Sequence, residues 1–210
     1  MINLHNTDCM EFMRNIPDKY YDLAIVDPPY GIGFSDYERC SSGIKTKERY
    51  TSKEKKQWDT NIPSNLYFEQ LFRISSNQII WGGNYFNLPS YQHFIFWYKK
   101  NPAPNFADGE LAWTSFKRPA KCFEYMYYGN INSENNRIHP TQKPVALYKW
   151  LLDKYAKQGD KILDTHGVSM SIAIACHDYG FDLDLCELDK DYFEAGKKRL
   201  ENHMLQTKLF

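Results

Sequence analysis

Two hydrophobic periods alternate along this chain. Tyr21-Asp-Leu-Ala-Ile-Val26 is a short apolar run that stops at Asp27-Pro28-Pro29. Two consecutive prolines permit neither a helix nor a continued ladder, so the run predicts a buried strand. Leu66 to Ile74 carries apolar residues at Leu66, Tyr67, Phe68, Leu71, Phe72 and Ile74, which suits a helix. Gln78–Trp81 predicts a strand ended by Gly82-Gly83, and His93–Tyr98 and Phe123–Tyr128 predict two more. Val145–Ala156 predicts a helix with Pro144 at its first turn. Lys161–Leu163 predicts a buried strand, and Ser169–Tyr179 a helix stopped by Gly180. Phe181–Cys186 alternates as a strand, and Asp191–Met204 closes as a charged amphipathic helix. Strands alternating with helices predict an α/β fold: a central, mostly parallel, twisted sheet with helices on both faces.

The length, 210 residues, suits one domain spanning 1–210. Two stretches depart from the periodic pattern. Residues 35–58 read as a basic loop insert: between 39 and 56, seven Lys or Arg face only Glu48 and Glu54. Residues 99–121 are polar, proline-bearing and loop-like. Over the whole chain, 26 basic residues balance 26 acidic ones. That excludes a uniformly basic nucleic-acid coat and leaves room for a local basic patch. Aromatics are plentiful, with 16 Tyr, 13 Phe and 5 Trp, and can fill a core or offer stacking faces to bases. Five cysteines without C-x-x-C spacing do not suggest a disulfide framework. The six histidines show no metal spacing, so no metal is expected. No basic-then-apolar leader and no apolar run of about 18 residues occurs, so the expectation is a cytoplasmic protein with no membrane partner.

Candidate chemistry lies at strand ends, where open α/β sheets bind their ligands. Asp164-Thr-His-Gly-Val-Ser-Met-Ser171 leads from a strand into a helix through small residues. The next strand ends at Glu187, 23 positions beyond Asp164. A carboxylate at that spacing can accept from both hydroxyls of a ribose, so the unit suits a nucleoside-bearing cofactor. The loop has one glycine, Gly167, and lacks G-x-G-x-x-G, which removes the pyrophosphate turn that a nicotinamide oxidoreductase needs. By itself the unit reads equally well as a tight strand–helix connection with a surface glutamate.

Asp27-Pro28-Pro29-Tyr30 closes an apolar strand with two acceptors, the Asp27 carboxylate and the Pro28 carbonyl. Together they match an amino group with two hydrogens, and Tyr30 can offer a flat face to the ring that carries it. The alternative is a proline-rich turn whose aspartate caps a neighbouring helix.

These residues resemble the S-adenosylmethionine-dependent DNA amino-methyltransferases in their circularly permuted beta-class order. The D-P-P-Y element comes first, a target-recognition region follows, and the cofactor element comes last. Asp27-Pro-Pro-Tyr30, His139-Pro-Thr-Gln-Lys-Pro144, Ile162-Leu-Asp164 and Glu187 stand in that order. The resemblance implies a Rossmann-like methyltransferase fold. It implies methyl transfer from S-adenosylmethionine to the exocyclic amine of adenine in double-stranded DNA, as in DNA methylation and restriction–modification. Asp27 and Pro28 would hold the amine, Pro29 would stiffen the turn, and Tyr30 would stack on the flipped base. Asp164, His166, Gly167 and Ser169 would line the cofactor, and Glu187 would grip its ribose. Lys143 would lie near its methionine part, with Asp8 and Cys9 by its adenine.

The family's cofactor loop reads D-P-F-x-G-S-G-T. Here Thr165, His166, Val168 and Met170 replace the proline, the phenylalanine and both later glycines. A branched Val168 disfavours positive φ and fills space beside the cofactor. This keeps open a non-catalytic DNA-binding relative with impaired cofactor binding, alongside a cytosine-directed enzyme. DNA phosphates would meet the basic insert through Arg39, Lys45 and Lys47, and base edges the region 99–121 through Lys117 and Arg118. So short a reader suggests a brief site or a homodimer that completes the grip.

Overall fold

The computed structural model describes residues 1–33, 59–90, 93–100, 107–127, 137–139 and 141–206. In chain order these form β1 (Ile2–His5), α1 (Cys9–Arg14), β2 (Tyr21–Val26), α2 (Asn65–Ile74), β3 (Ser75–Trp81), β4 (Phe94–Tyr98), β5 (Gly109–Thr114) and β6 (Lys121–Glu124), then α3 (Val145–Tyr155), β7 (Lys161–Asp164), α4 (Ser171–Tyr179), β8 (Asp182–Cys186) and α5 (Lys190–Met204). The basic insert, with Arg39, Lys45 and Lys47, lies outside the described residues, as do residues 101–106 of the expected recognition region.

One eight-stranded sheet runs in the order β1-β8-β7-β2-β3-β5-β4-β6. All pairings are parallel except those of β5, which runs antiparallel to both β3 and β4. β2 is central and buried at every position but Asp22. Its side chains divide with the two-residue period of a strand. Leu23 and Ile25 face α3 and α4 through Leu147, Leu151 and Ile172. Ala24 and Val26 face α1 and α2 through Met13, Tyr67, Phe68 and Leu71. Each such aliphatic side chain, fully buried, contributes roughly 1.5–3 kcal/mol. Helices thus cover both faces, as the alternating pattern predicts.

The structure corrects several boundaries. β1 and α1 carry too short a pattern to be read from the sequence. α1 forms because Asp8 caps it, its Oδ1 accepting from the Met10 and Glu11 amides at 2.7 and 3.1 Å. The loop expected over 99–121 contains β5, an interior strand whose first half is polar because Glu110 is paired with cations. The strand expected at 123–128 is β6, Lys121–Glu124. α4 starts at Ser171, after Met170, which holds a left-handed backbone (φ 54°, ψ 26°).

Met170 is a costly residue for that backbone, by about 1–2 kcal/mol. Its side chain is fully buried and lies over Gly196 of α5. A Cβ at Gly196 would stand 2.8 Å from Met170 Cγ and 3.1 Å from its Sδ. The absent Cβ therefore makes the room that Met170 fills. Gly196→Ala is expected to lower stability by about 1–3 kcal/mol through overpacking. In a Met170→Gly background the same change should be neutral or stabilising. Urea unfolding of the four proteins tests the coupling, and additive effects would refute it.

Candidate functional site

Asp27 follows the last residue of β2, where Pro28 and Pro29 stop the ladder. Its Oδ1 accepts from the Tyr30 hydroxyl at 2.6 Å, and its Oδ2 from Lys143 Nζ at 2.5 Å. The buried Asp59 pins the turn that follows, its Oδ1 accepting from the Tyr30 and Gly31 amides at 2.7 and 3.0 Å. Gly31 sits at φ 68°, and a Cβ there would meet Ile62. The Tyr30 ring stacks on Tyr85, with centroids 5.1 Å apart and planes at 15°. It also presses on Gly82, where a Cβ would lie 2.2 Å from Tyr30 Cε1. Burial, Asp27 and Glu110 all push the Tyr30 phenol well above its ordinary value, so it stays a donor.

Lys143 is 2% exposed, and Glu110 supplies a second carboxylate at 3.1 Å from its ammonium. Glu110 pairs in turn with Lys99. Burial alone would lower the Lys143 pKa; Asp27 and Glu110 outweigh it and hold the ammonium charged. Burial likewise works against the Glu110 carboxylate, yet Lys143 and Lys99 bring it down to about 2. Lys143 thus stands on the D-P-P-Y carboxylate itself. Beside it, His139 bonds Thr141 Oγ1 through Nδ1 at 2.8 Å, and burial and Lys143 lower it to about 3, so its ring is neutral.

The turn after β7 is the other half of the site. Asp164 is buried, and its Oδ1 accepts from the His166 amide at 2.9 Å. Burial, with Asp27 and Glu187 adding to it, raises this carboxyl to about 8 despite the amide bond. Thr165, in the family's proline position, bonds Tyr67 Oη at 2.7 Å and His166 Nδ1 at 2.9 Å. Burial lowers His166 to about 4. A Cβ on Gly167 would fall 2.1 Å from Leu185 Cδ2, so only glycine fits against β8. Glu187 takes the Val168 amide on Oε2 at 2.9 Å and the Asp189 amide on Oε1 at 2.8 Å. Arg199 donates to the Ser169 carbonyl at 2.5 Å and to Ser171 Oγ at 3.0 Å, bracing the loop from α5. Sequence reading overlooked Arg199, because one arginine in a charged helix carries no local signal; Glu110 and Asp59 were overlooked for the same lack of pattern. Cys9 lies beside this turn. Its thiol is pushed to about 12 by burial, then by Asp8, with Glu187 contributing.

Asp27, Lys143, Tyr148, Asp164 and the turn from His166 to Ser169 line one cleft. β2 and β7 are neighbours in the sheet, so their carboxyl ends open on the same hollow. The expected left-handed strain at Val168 is not there: the left-handed residue of this turn is Met170. Lys117 and Arg118 are not brought to the cleft. Arg118 lines a separate cavity of about 220 Å³ with Asp22, Asn77 and Lys154, at the amino ends of β2 and β3. There it stacks on Phe116 and Tyr155 and donates to the Lys154 carbonyl at 2.7 Å. Among the described residues no group of three or more His, Cys, Asp or Glu could hold a metal, and no helix is long and apolar enough to cross a membrane.

Residues 78–198 match a family model described as DNA methylase, which covers more than half of the chain. YubD of Escherichia coli (strain K12), which bears a methylase name, is 27% identical over 204 residues, covering 92% of this chain and 87% of that protein. The M1.HpyAVI–SAM complex superposes with a TM-score of 0.62 at 21% identity over 95% of this chain and 100% of that one. The PvuII DNA methyltransferase, titled cytosine-N4-specific, does so at 0.58 and 12% identity over 97% and 90%. These likenesses of structure show the shared methyltransferase fold.

The raised Asp164 carboxyl sets a pH dependence. The folded chain holds this proton up to about 8, while an unfolded aspartate releases it near ~4. Its contribution is therefore full below ~4 and is lost as pH rises toward 8. Asp164→Asn, which keeps an acceptor for the His166 amide, is expected to gain on the wild type in urea midpoint between pH 5 and pH 8. Parallel midpoints across that range would show that Asp164 is ionised in the folded chain.

Proposed function

The chain belongs to the DNA methylase family, and on that premise we propose that it moves a methyl group from S-adenosylmethionine to the exocyclic amine of adenine in double-stranded DNA. The observation that carries this reading is the single cleft in which Asp27 meets the turn from His166 to Ser169. Its donor set fits the cofactor. Glu187 closes the end of β8 with a carboxylate suited to ribose hydroxyls, and Asp164 closes the end of β7 with a polar carboxyl beside it. When bound, the sulfonium supplies a methyl already activated for transfer, which asks no metal of the protein.

The chain's own residues do the rest. Asp27 and the Pro28 carbonyl accept both N–H bonds of the amine, which favours a pyramidal nitrogen with an available lone pair. Asp27 takes the proton once the nitrogen has become acidic, so it need not be a strong base. Tyr30, backed by Tyr85, offers a stacking face. The target base must leave the duplex, at a cost of a few kcal/mol.

The non-catalytic alternative leaned on Val168 and Met170. The left-handed backbone falls on Met170, which Gly196 accommodates, and Val168 keeps ordinary φ, which supports a working cofactor loop. A cytosine acceptor is the second reading, favoured by the likeness to the cytosine-N4-specific PvuII enzyme. Digestion of treated DNA to nucleosides separates the two, since N6-methyl-2′-deoxyadenosine supports our reading and N4-methyl-2′-deoxycytidine overturns it. Asp27→Ala is expected to cut transfer by at least ~100-fold while calorimetric cofactor affinity stays within about twofold of wild type. Transfer at the wild-type rate would remove Asp27 from the chemistry.

A further inference from the structure

Both oxygens of Asp27 are engaged: Tyr30 holds Oδ1 and the Lys143 ammonium holds Oδ2. An incoming amine must therefore share or displace one of these partners, and the lysine has a second carboxylate within reach. Glu110 Oε2 lies 3.1 Å from the same ammonium, already at ion-pair distance. Its partner oxygen is held by Lys99, which fixes the carboxylate in place.

We propose that Glu110 is a positioning residue: it is the second seat of the Lys143 ammonium, which shifts there from Asp27 when the target amine arrives. This rests on the methyltransferase reading and deepens it. Lys143 Nζ already lies within reach of both acceptors, and it faces the rings of Trp81 at 5.2 Å and Tyr30 at 5.8 Å. The shift is thus a short displacement of the ammonium within a ring-walled slot, with no movement of the backbone. The charge count also requires it. Asp27 and Glu110 both pair with this one buried ammonium, and a lysine that left altogether would strand two carboxylates. Held between them, the ammonium neutralises the pair at either seat. On Asp27 it keeps the acceptor capped in the absence of substrate; on Glu110 it frees Oδ2 for the amine.

Glu110→Gln removes the second seat's charge while keeping its shape. Turnover at saturating cofactor and DNA is expected to fall by roughly 100-fold, with calorimetric cofactor affinity unchanged. In a Lys143→Met background the same change should add no loss, because Glu110 acts through Lys143. Wild-type turnover in Glu110→Gln, or an equal further loss without Lys143, would overturn the proposal while leaving the methyltransferase reading intact. A second readout needs neither DNA nor transfer, and so stands even if that reading fails. In Asp27→Asn protein carrying 13Cε-lysine, the Lys143 resonance should remain that of a charged ammonium at pH 9, held by Glu110. A neutral Lys143 there would mean that Glu110 is no seat, and the proposal falls.

Discussion

One buried ammonium ties the site together. Lys143 enters from the segment before α3 and meets Asp27 at the end of β2 and Glu110 in β5. Removing an ammonium and two carboxylates from water costs several kcal/mol for each ion, which simple stability does not reward. Apolar side chains of the same volume would hold these elements together as well or better. Charge at this point therefore serves chemistry, and the surrounding structure is arranged to tolerate it: Lys99 balances Glu110, and the rings of Trp81 and Tyr30 wall the slot. Asp164, farther along the same cleft with no cation in contact, responds by raising its pKa instead.

Strand order turns two distant sequence elements into one site. β7 lies beside β2, although nearly the whole middle of the chain separates them, and both run the same way. Their carboxyl ends therefore open side by side. β1 pairs in parallel with β8, which brings Asp8 and Cys9 next to Glu187. A permuted motif order costs nothing here, because the cleft depends on which strands are adjacent and not on which comes first.

What was legible in the sequence follows the range of each signal. Long periodic runs such as Leu66–Ile74 and abrupt stops such as Pro28-Pro29 are local, and they became α2 and the end of β2. Asp27, Tyr30 and the turn at His166–Ser169 could be singled out because motif and position at a strand end coincide. Glu110 could not: its meaning depends on Lys99, just past the paired strand β4, and on Lys143 farther along the chain, and its polarity disguised β5 as loop. Lys143 was legible as a motif residue but not in its partner, since ion pairing across a sheet leaves no spacing to read. Asp8 was legible only through the motif resemblance; its capping of α1, which starts where β1 emerges beside β8, was not.

The turn between β7 and α4 holds its left-handed residue without a glycine. A turn of this kind needs one left-handed residue to start α4, and glycine adopts that backbone without penalty. Here the position is Met170, whose cost is offset elsewhere: its side chain fills the space that the absent Cβ of Gly196 leaves in α5. The other contacts of the turn are local substitutes for lost regularity. Thr165 bonds Tyr67 and His166 where a proline would have set the backbone by its ring. Arg199 ties down the Ser169 carbonyl, and Glu187 takes the Val168 amide. Because Glu187 clasps the Val168 amide, the packing of Met170 on Gly196 and the geometry of the Glu187 carboxylate rest on the same few ångströms of backbone.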